Sequence, residues 1–467
     1  MRVAILHYHY RPGGVTSVIQ NILPALQSLG DIRARVINVP GTDYGESQNL
    51  CKDPYELAGR LEHAARERLG GTPDLWHIHN PTLGKHPAFP ALIASLAGAG
   101  TPLLLHIHDF PEDGRPTNYH LIRQLPQSTS NLYPTAPHIH YGTINSRDSE
   151  ILGAAGVPVE NLHHLPNPII PKDPENHPGK PEFALPSKQL HFYPVRATRR
   201  KNFGEFLLWA TIAPKGHHFA SSIGPTNPAQ LQDYEHWQQL SKELNLPVSL
   251  GLCDDPAYPF PEIFHAASTC LTTSLAEGFG LAFLEPLLSK KPLWGRNLQE
   301  ITGDFYAQGI EPGKLYDRLD IPLEWLDADK LKGHLKKKLL STYKSYGRPL
   351  PQNATKTAWE SFTKGNGCID FGRLDSATQS EIIRKLHSSP GSHQEIRTPS
   401  PFLENPLPVP QQSGLILQNY SPEKCARQLY GIYKTLLQSG FSEPTFLDPA
   451  KILDQFLNPA RFSFQLT

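Results

Sequence analysis

Short apolar runs alternating with segments of helical period constrain this chain more than any other feature of its sequence. Residues 3–6, 75–79, 103–108 and 138–144 are apolar, bounded by turn formers and too short for core helices, the pattern of strands buried on both faces. Between them, residues 15–29 and 55–69 space apolar side chains three and four apart, as a helix packed on one face does. A parallel strand pair needs a crossover about as long as a helix, so this alternation predicts a parallel sheet covered on both sides. Residues 1–170 read as a Rossmann-like domain.

A second alternating series runs through 191–195, 203–212, 218–223, 234–244, 248–250, 263–267 and 270–273. Between the two series, Pro166, Pro168, Pro171, Pro174, Pro178, Pro181 and Pro186 rule out a continuous helix or central strand, and 171–187 is the expected linker. The expected fold class is α/β, two Rossmann-like domains with parallel sheets facing across a cleft. The second domain spans 188–440 with an insertion at about 303–413. The last segment, 441–467, packs back on the body, with 448–462 as a helix. The Pro- and Ser-rich stretch 390–412 reads as a loop, and 422–437 as an amphipathic helix.

Composition narrows the function classes. Forty-four Lys and Arg balance 44 Asp and Glu, so no overall field recommends nucleic acid as a partner. Lys330, Lys332, Lys336, Lys337, Lys338, Lys344 and Arg348 on one helical stretch read as a solvated face, leaving room only for a weak peripheral membrane contact. No run approaches ~18 apolar residues, so no transmembrane segment is expected, and the apolar start is too short for a signal peptide. Cys51, Cys253, Cys270, Cys368 and Cys425 are dispersed without a CxxC pair, which fits a reducing, cytoplasmic location better than a disulfide or zinc scaffold.

Two patterns suggest chemistry. His7/His9, His77/His79, His106/His108 and His138/His140 are His-x-His pairs, and a strand's period of two puts both members of a pair on one face. Such a set suits a metal, but strand ends of a parallel sheet also collect polar residues in one crevice without any ion. The crevice reading is preferred, since no acidic partners at metal-site spacing accompany the pairs. The second pattern joins Arg196, Arg199, Arg200 and Lys201, a cationic strand-to-helix turn suited to a diphosphate, with Glu277-Gly278-Phe279-Gly280-Leu281 and Glu285. Amides at 278–281 open a helix and can cradle an anion, while the carboxylates can accept sugar hydroxyls that a phosphate-only site would not need.

Glu277-x7-Glu285 within EGFGLAFLEP, Arg196 with Lys201, the Gly13-Gly14 loop after the first strand and the HIHD that ends at Asp109 together resemble the retaining nucleotide-sugar glycosyltransferases of the GT-B fold, family 4 type. The resemblance covers most of residues 1–300 and resumes near 420–437. It implies a retaining hexosyl transfer from a nucleoside diphosphate sugar to the hydroxyl of a glycan or small-molecule acceptor, with no further cofactor and no metal. Arg196, Lys201, Gly13 and Gly14 would hold the donor diphosphate. Gly278, Phe279, Gly280, Leu281 and Glu285 would hold the donor sugar and ribose. Glu277 would act at the sugar, and His108 would reach it from the opposite domain. The chain departs from the pattern at Val195 and Asn202, where glycines are usual, and at Trp294-Gly295-Arg296-Asn297-Leu298-Gln299-Glu300, which replaces a glycine-rich loop. The competing readings are a histidine-rich metal-dependent hydrolase and a non-catalytic binding protein of the same fold.

Overall fold

The computed structural model describes all residues except Pro12, 39–52, Pro87, 125–131, 172–188, 399–410 and Thr467. The expected linker lies almost wholly outside the described residues, as does the Pro-rich part of the 390–412 stretch beyond 398.

The chain forms two units, one from residues 1–170 and 417–457 and the other from 171–416 and 458–467. In unit 1, strands β1 (Arg2–His7), β2 (Arg33–Asn38), β3 (Leu75–His79), β4 (Leu103–Ile107), β6 (Ile139–Thr143) and β7 (Leu162–His164) build a parallel sheet in the order β2-β1-β3-β4-β6-β7. The short β5 (Pro134–Thr135) pairs antiparallel with Thr445–Phe446 near the chain end. Alternation along the strands divides the core. Ala4, Leu6, Trp76, Ile78, Leu103 and Leu105 face the helices Pro54–Leu69 and Phe89–Gly98, while Val3, Ile5, Leu75 and Leu104 face Gly14–Gln27 and Pro422–Gln438.

That last helix corrects the expected domain boundary. Residues 417–440 were expected in the second domain but pack on the first sheet, through Cys425, Ala426, Leu429, Ile432, Tyr433 and Leu436. Amphipathic period reveals a buried face and says nothing about which sheet buries it. The C-terminal helix is also shorter than expected, Pro449–Phe456, because Pro459 lacks the N–H a helix would need and disfavours helical backbone at Asn458.

In unit 2, β8 (Gln189–Arg196), β9 (His217–Ile223), β10 (Val248–Ser249), β11 (Thr269–Thr272), β12 (Leu293–Arg296) and β13 (Lys314–Tyr316) form a second parallel sheet, ordered β10-β9-β8-β11-β12-β13. Gly295 is required where β12 passes β11, since a Cβ there would lie 2.0 Å from the Thr272 carbonyl oxygen. The region expected as an insertion is part of this unit: it supplies β13, a ribbon of β14 (Asp320–Pro322) with β15 (Cys368–Asp370), and the helices Ala328–Ser345, Ala354–Thr363 and Ser376–Ser388. On the first of these Leu331, Leu335, Leu339 and Tyr343 face inward, and Lys330, Lys336, Lys337 and Lys344 are exposed. Among the described residues no helix is long and apolar enough to cross a membrane.

Candidate functional site

Each sheet reverses its strand order once, between β1 and β3 in unit 1 and between β8 and β11 in unit 2. In open parallel sheets the crevice at the carboxyl ends of such strands is where ligands bind. Most residues singled out from the sequence fall at these two places, but His138 and His140 lie at the amino end of β6, where His138 Nε2 meets the Ala97 carbonyl at 2.9 Å and His140 Nδ1 meets His163 Nε2 at 2.9 Å.

In unit 2, β8 runs irregularly between Tyr193 and Arg196, around Pro194, which has no N–H for the ladder. The chain then makes a 3-10 turn, Arg199–Lys201, and Asn202 takes a left-handed backbone (φ 53°) to start the helix Phe203–Ile212. Asn is among the few residues that adopt this conformation cheaply, which accounts for its tolerance where a glycine is usual. The turn is fastened to the segment after β11. Thr273 Oγ1 donates to the Lys201 carbonyl at 2.8 Å, the Leu275 amide donates to the Arg200 carbonyl at 2.8 Å, and the Tyr193 and Ser274 hydroxyls bond at 2.7 Å.

These ties bring Lys201 Nζ against Glu277 Oε1, with both side chains only 10% exposed. The sequence assigned them separate ligand groups, and the structure makes them an ion pair. Burial pushes the Glu277 carboxyl up, but the Lys201 ammonium and the nearby Arg200 charge hold it below the ordinary carboxylate range. Burial pushes the Lys201 ammonium down, against the pull of Glu277. The other cations of the turn divide. Arg196 is exposed at the end of β8, and Arg199 donates to the Phe464 carbonyl of the C-terminal tail at 3.1 Å. Gly280 has φ 91° and caps the helix Leu281–Leu288, and a Cβ there would meet Ile301 at 2.7 Å. Phe279 is buried edge-on against Phe305, Leu281 is exposed, and Glu285 is half-buried one turn into the helix.

Sequence reasoning missed the support beneath this turn. Arg296, in the segment that departs from the family pattern, is buried and holds Glu205 Oε2 at 2.6 Å and Asp370 Oδ1 at 2.7 Å. Tyr316 donates to Glu205 at 2.7 Å, and Asn202 Nδ2 donates to the same carboxylate at 2.9 Å. Gln379, from the region expected as an insertion, donates to Asn202 Oδ1 at 3.0 Å. Burial pushes Glu205 up; burial opposes ionisation of Asp370 too, but Arg296 holds that carboxyl down. The only signal in the sequence was Arg296 itself, a charge ending an apolar strand. Arg296→Leu should destabilise the protein by about 3 to 5 kcal/mol, because two buried carboxylates would lose their cation. Denaturant unfolding with an unchanged midpoint would contradict that role.

In unit 1, His7, His77, His79, His106 and His108 continue the sheet face that begins with Val3, Ile5, Leu75 and Leu104. His108 is the residue after β4. His77 Nδ1 bonds the Tyr433 hydroxyl at 2.7 Å, His77 Nε2 meets His106 Nδ1 at 3.1 Å, and His79 Nδ1 meets His108 Nε2 at 2.9 Å. Gly142 lies opposite His106 in the register, and a Cβ there would come within 2.6 Å of Leu165 Cδ1. Burial pushes His7 and His106 down to about 4, and His77, His79 and His108 well below the ordinary imidazole range. Nitrogens of His77, His79 and His106 lie within 4.8 Å of one another, as a polyhistidine metal site would need. The rings of His77 and His106 are nearly parallel, at 11°, and meet edge to edge. The facing nitrogens pair as neutral donor and acceptor, while His106 Nε2 is buried with no hydrogen-bond partner among the described residues.

Gly13 and Gly14 introduce the helix Gly14–Gln27. Gly13 is extended, and a Cβ at Gly14 would meet nothing within 4 Å, so neither glycine is demanded by packing or by backbone angle. They leave bare backbone at the carboxyl edge of β1.

No family model matches the chain. It is 29% identical over 367 residues to the mannosylglucosyl-3-phosphoglycerate synthase of Petrotoga mobilis, covering 70% of each chain. Among solved structures it is similar to the sucrose-phosphate synthase of Thermosynechococcus elongatus, with a TM-score of 0.51 and 13% identity over 93% of this chain and 98% of that one. The N-terminal domain of Candida albicans trehalose-6-phosphate phosphatase gives a TM-score of 0.50 at 10% identity, over 93% and 97% of the two chains. With its two parallel six-stranded sheets, the chain has the fold of the GT-B glycosyltransferases.

Proposed function

We propose that this protein is a glycosyltransferase that moves a sugar from a nucleoside diphosphate sugar to an acceptor hydroxyl, retaining anomeric configuration and requiring no metal. The observation that carries the reading is the buried Lys201–Glu277 pair beside the Gly280-capped helix, at the strand-order reversal of the unit 2 sheet. Arg196 and Lys201 neutralise the departing diphosphate, and the amides at 278–281 add the positive end of a helix. Glu285 accepts from ribose hydroxyls, and Glu277 acts at the sugar. On the unit 1 side, Gly13 and Gly14 offer amides to the diphosphate, and His108 contacts the transferred sugar. Fixed cations in the place of a divalent ion make the transfer metal-independent. The name of the Petrotoga relative puts a glycoside of 3-phosphoglycerate among the products to test.

The testing experiment is a thermal-shift and product-release panel of UDP, GDP and ADP with their sugars, in EDTA. A ligand at ~100 times its dissociation constant adds roughly 2.7 kcal/mol of stability. One nucleotide family should stabilise the protein, and its sugar should turn over with the chelator present. Binding without turnover on any acceptor would favour a non-catalytic homologue, and loss of activity restored by added metal would favour the hydrolase reading.

A further inference from the structure

We infer that Asn80, at the carboxyl end of β3, is the positioning residue that sets His108 and Asp109 for the sugar; this deepens the functional reading above and rests on it. Asn80 is 3% exposed and holds a left-handed backbone, φ 49°, directly after the buried His79. Its side-chain oxygen accepts two backbone N–H groups on the neighbouring strand end, from His108 at 2.8 Å and from Asp109 at 3.0 Å. Its backbone N–H donates to the His106 carbonyl at 2.8 Å, and its side-chain Nδ2 donates to Asp109 Oδ2 at 3.4 Å.

One side chain therefore does what another ladder residue would do if β4 continued. It ends the strand at Ile107 while still satisfying the next two amides. The side chains of the two held residues are fixed as well. His108 Nε2 is taken by His79 Nδ1, which leaves Nδ1 as the nitrogen for a ligand, and Asp109 pairs with Arg115. A group that must meet a reacting sugar gains most from a backbone unable to drift, since small misplacements cost large factors in rate.

The two functions of Asn80 separate by substitution. Asn80→Gly keeps the left-handed backbone at no steric cost and removes the acceptor, whereas Asn80→Asp keeps both and loses only the Nδ2 donor that faces Asp109 Oδ2. With the sugar nucleotide selected by the panel, Asn80→Gly should lower kcat about tenfold and leave the affinity for the free nucleoside diphosphate within twofold, because Asn80 bonds to none of the groups assigned to that ligand, Arg196, Lys201, Gly13 and Gly14. Asn80→Asp should recover part of the lost kcat, the rest being lost to its carboxylate facing that of Asp109. A merely structural role would instead lower the thermal midpoint and weaken nucleotide binding along with turnover. Full kcat in Asn80→Gly, or equal losses in both variants, would overturn the inference. Wild-type inactivity across the panel would overturn the functional reading and this inference together, whereas an active wild type with a fully active Asn80→Gly would overturn this inference alone.

Discussion

Acidification from pH 7.5 to 4.5 should unfold unit 1 in a cooperative transition near about pH 5. A group whose folded pKa lies below its unfolded one stabilises the fold only while unprotonated. For the buried histidines that contribution is complete above the ordinary 6.5 and is lost as pH falls toward the folded value, about 4 for His7 and His106. Each of these two loses on the order of 3 kcal/mol over that window, as an upper bound. His77, His79 and His108, buried beside them, act in the same direction. Glu112 works against the trend. Burial pushes it up to about 7, so its protonation below that pH favours the fold and offsets roughly one histidine. The histidines outnumber it, and their combined loss is comparable with the ~5 to 15 kcal/mol stability of a whole domain. Near-ultraviolet circular dichroism against pH reads the transition directly. A thermal midpoint that stays level between pH 7.5 and 5 would show that these imidazoles are not held neutral by burial.

Glu277→Gln is expected to lower kcat by on the order of 10² to 10³, the scale of losing one preorganised electrostatic contact where charge develops. The structure adds a second consequence. Lys201 would stay buried without its counter-charge, so its ammonium should release a proton more readily and the variant should become more sensitive to alkaline pH. Glu285→Gln, remote from the reacting bond, should mainly raise the donor KM. Kinetics and calorimetry on the two variants separate the roles. Full turnover in Glu277→Gln, or a kcat loss in Glu285→Gln at unchanged donor affinity, would show that position in the motif misassigns them.

The alternation of apolar strands and helical segments made both sheets legible, because a strand buried on two faces leaves a contiguous mark in the sequence. The cationic turn and the Glu277 motif were legible for a similar local reason: each lies within a dozen residues. What the sequence could not show was long-range pairing. Nothing in the local pattern joins Arg296 to Glu205 and Asp370, or Tyr433 to His77, since each contact is set by which helix covers which sheet. The histidine pairs illustrate the difference. Period two placed His77 with His79 and His106 with His108 on one face, yet their chemistry depends on the neighbouring strand, where each of these rings meets another imidazole.

The hydrogen bond from Tyr433 to His77 spans 356 positions of the chain. During synthesis at ~5 to 20 residues per second, the first sheet, complete at His164, would wait roughly 14 to 55 s for the helix that covers its histidine face. All of unit 2 except its last ten residues emerges in that interval. A newborn unit 1 is thus an unfinished core with imidazoles open to water until the helix Pro422–Gln438 has been made. A chain stopped early would carry a finished second sheet and an uncovered first one.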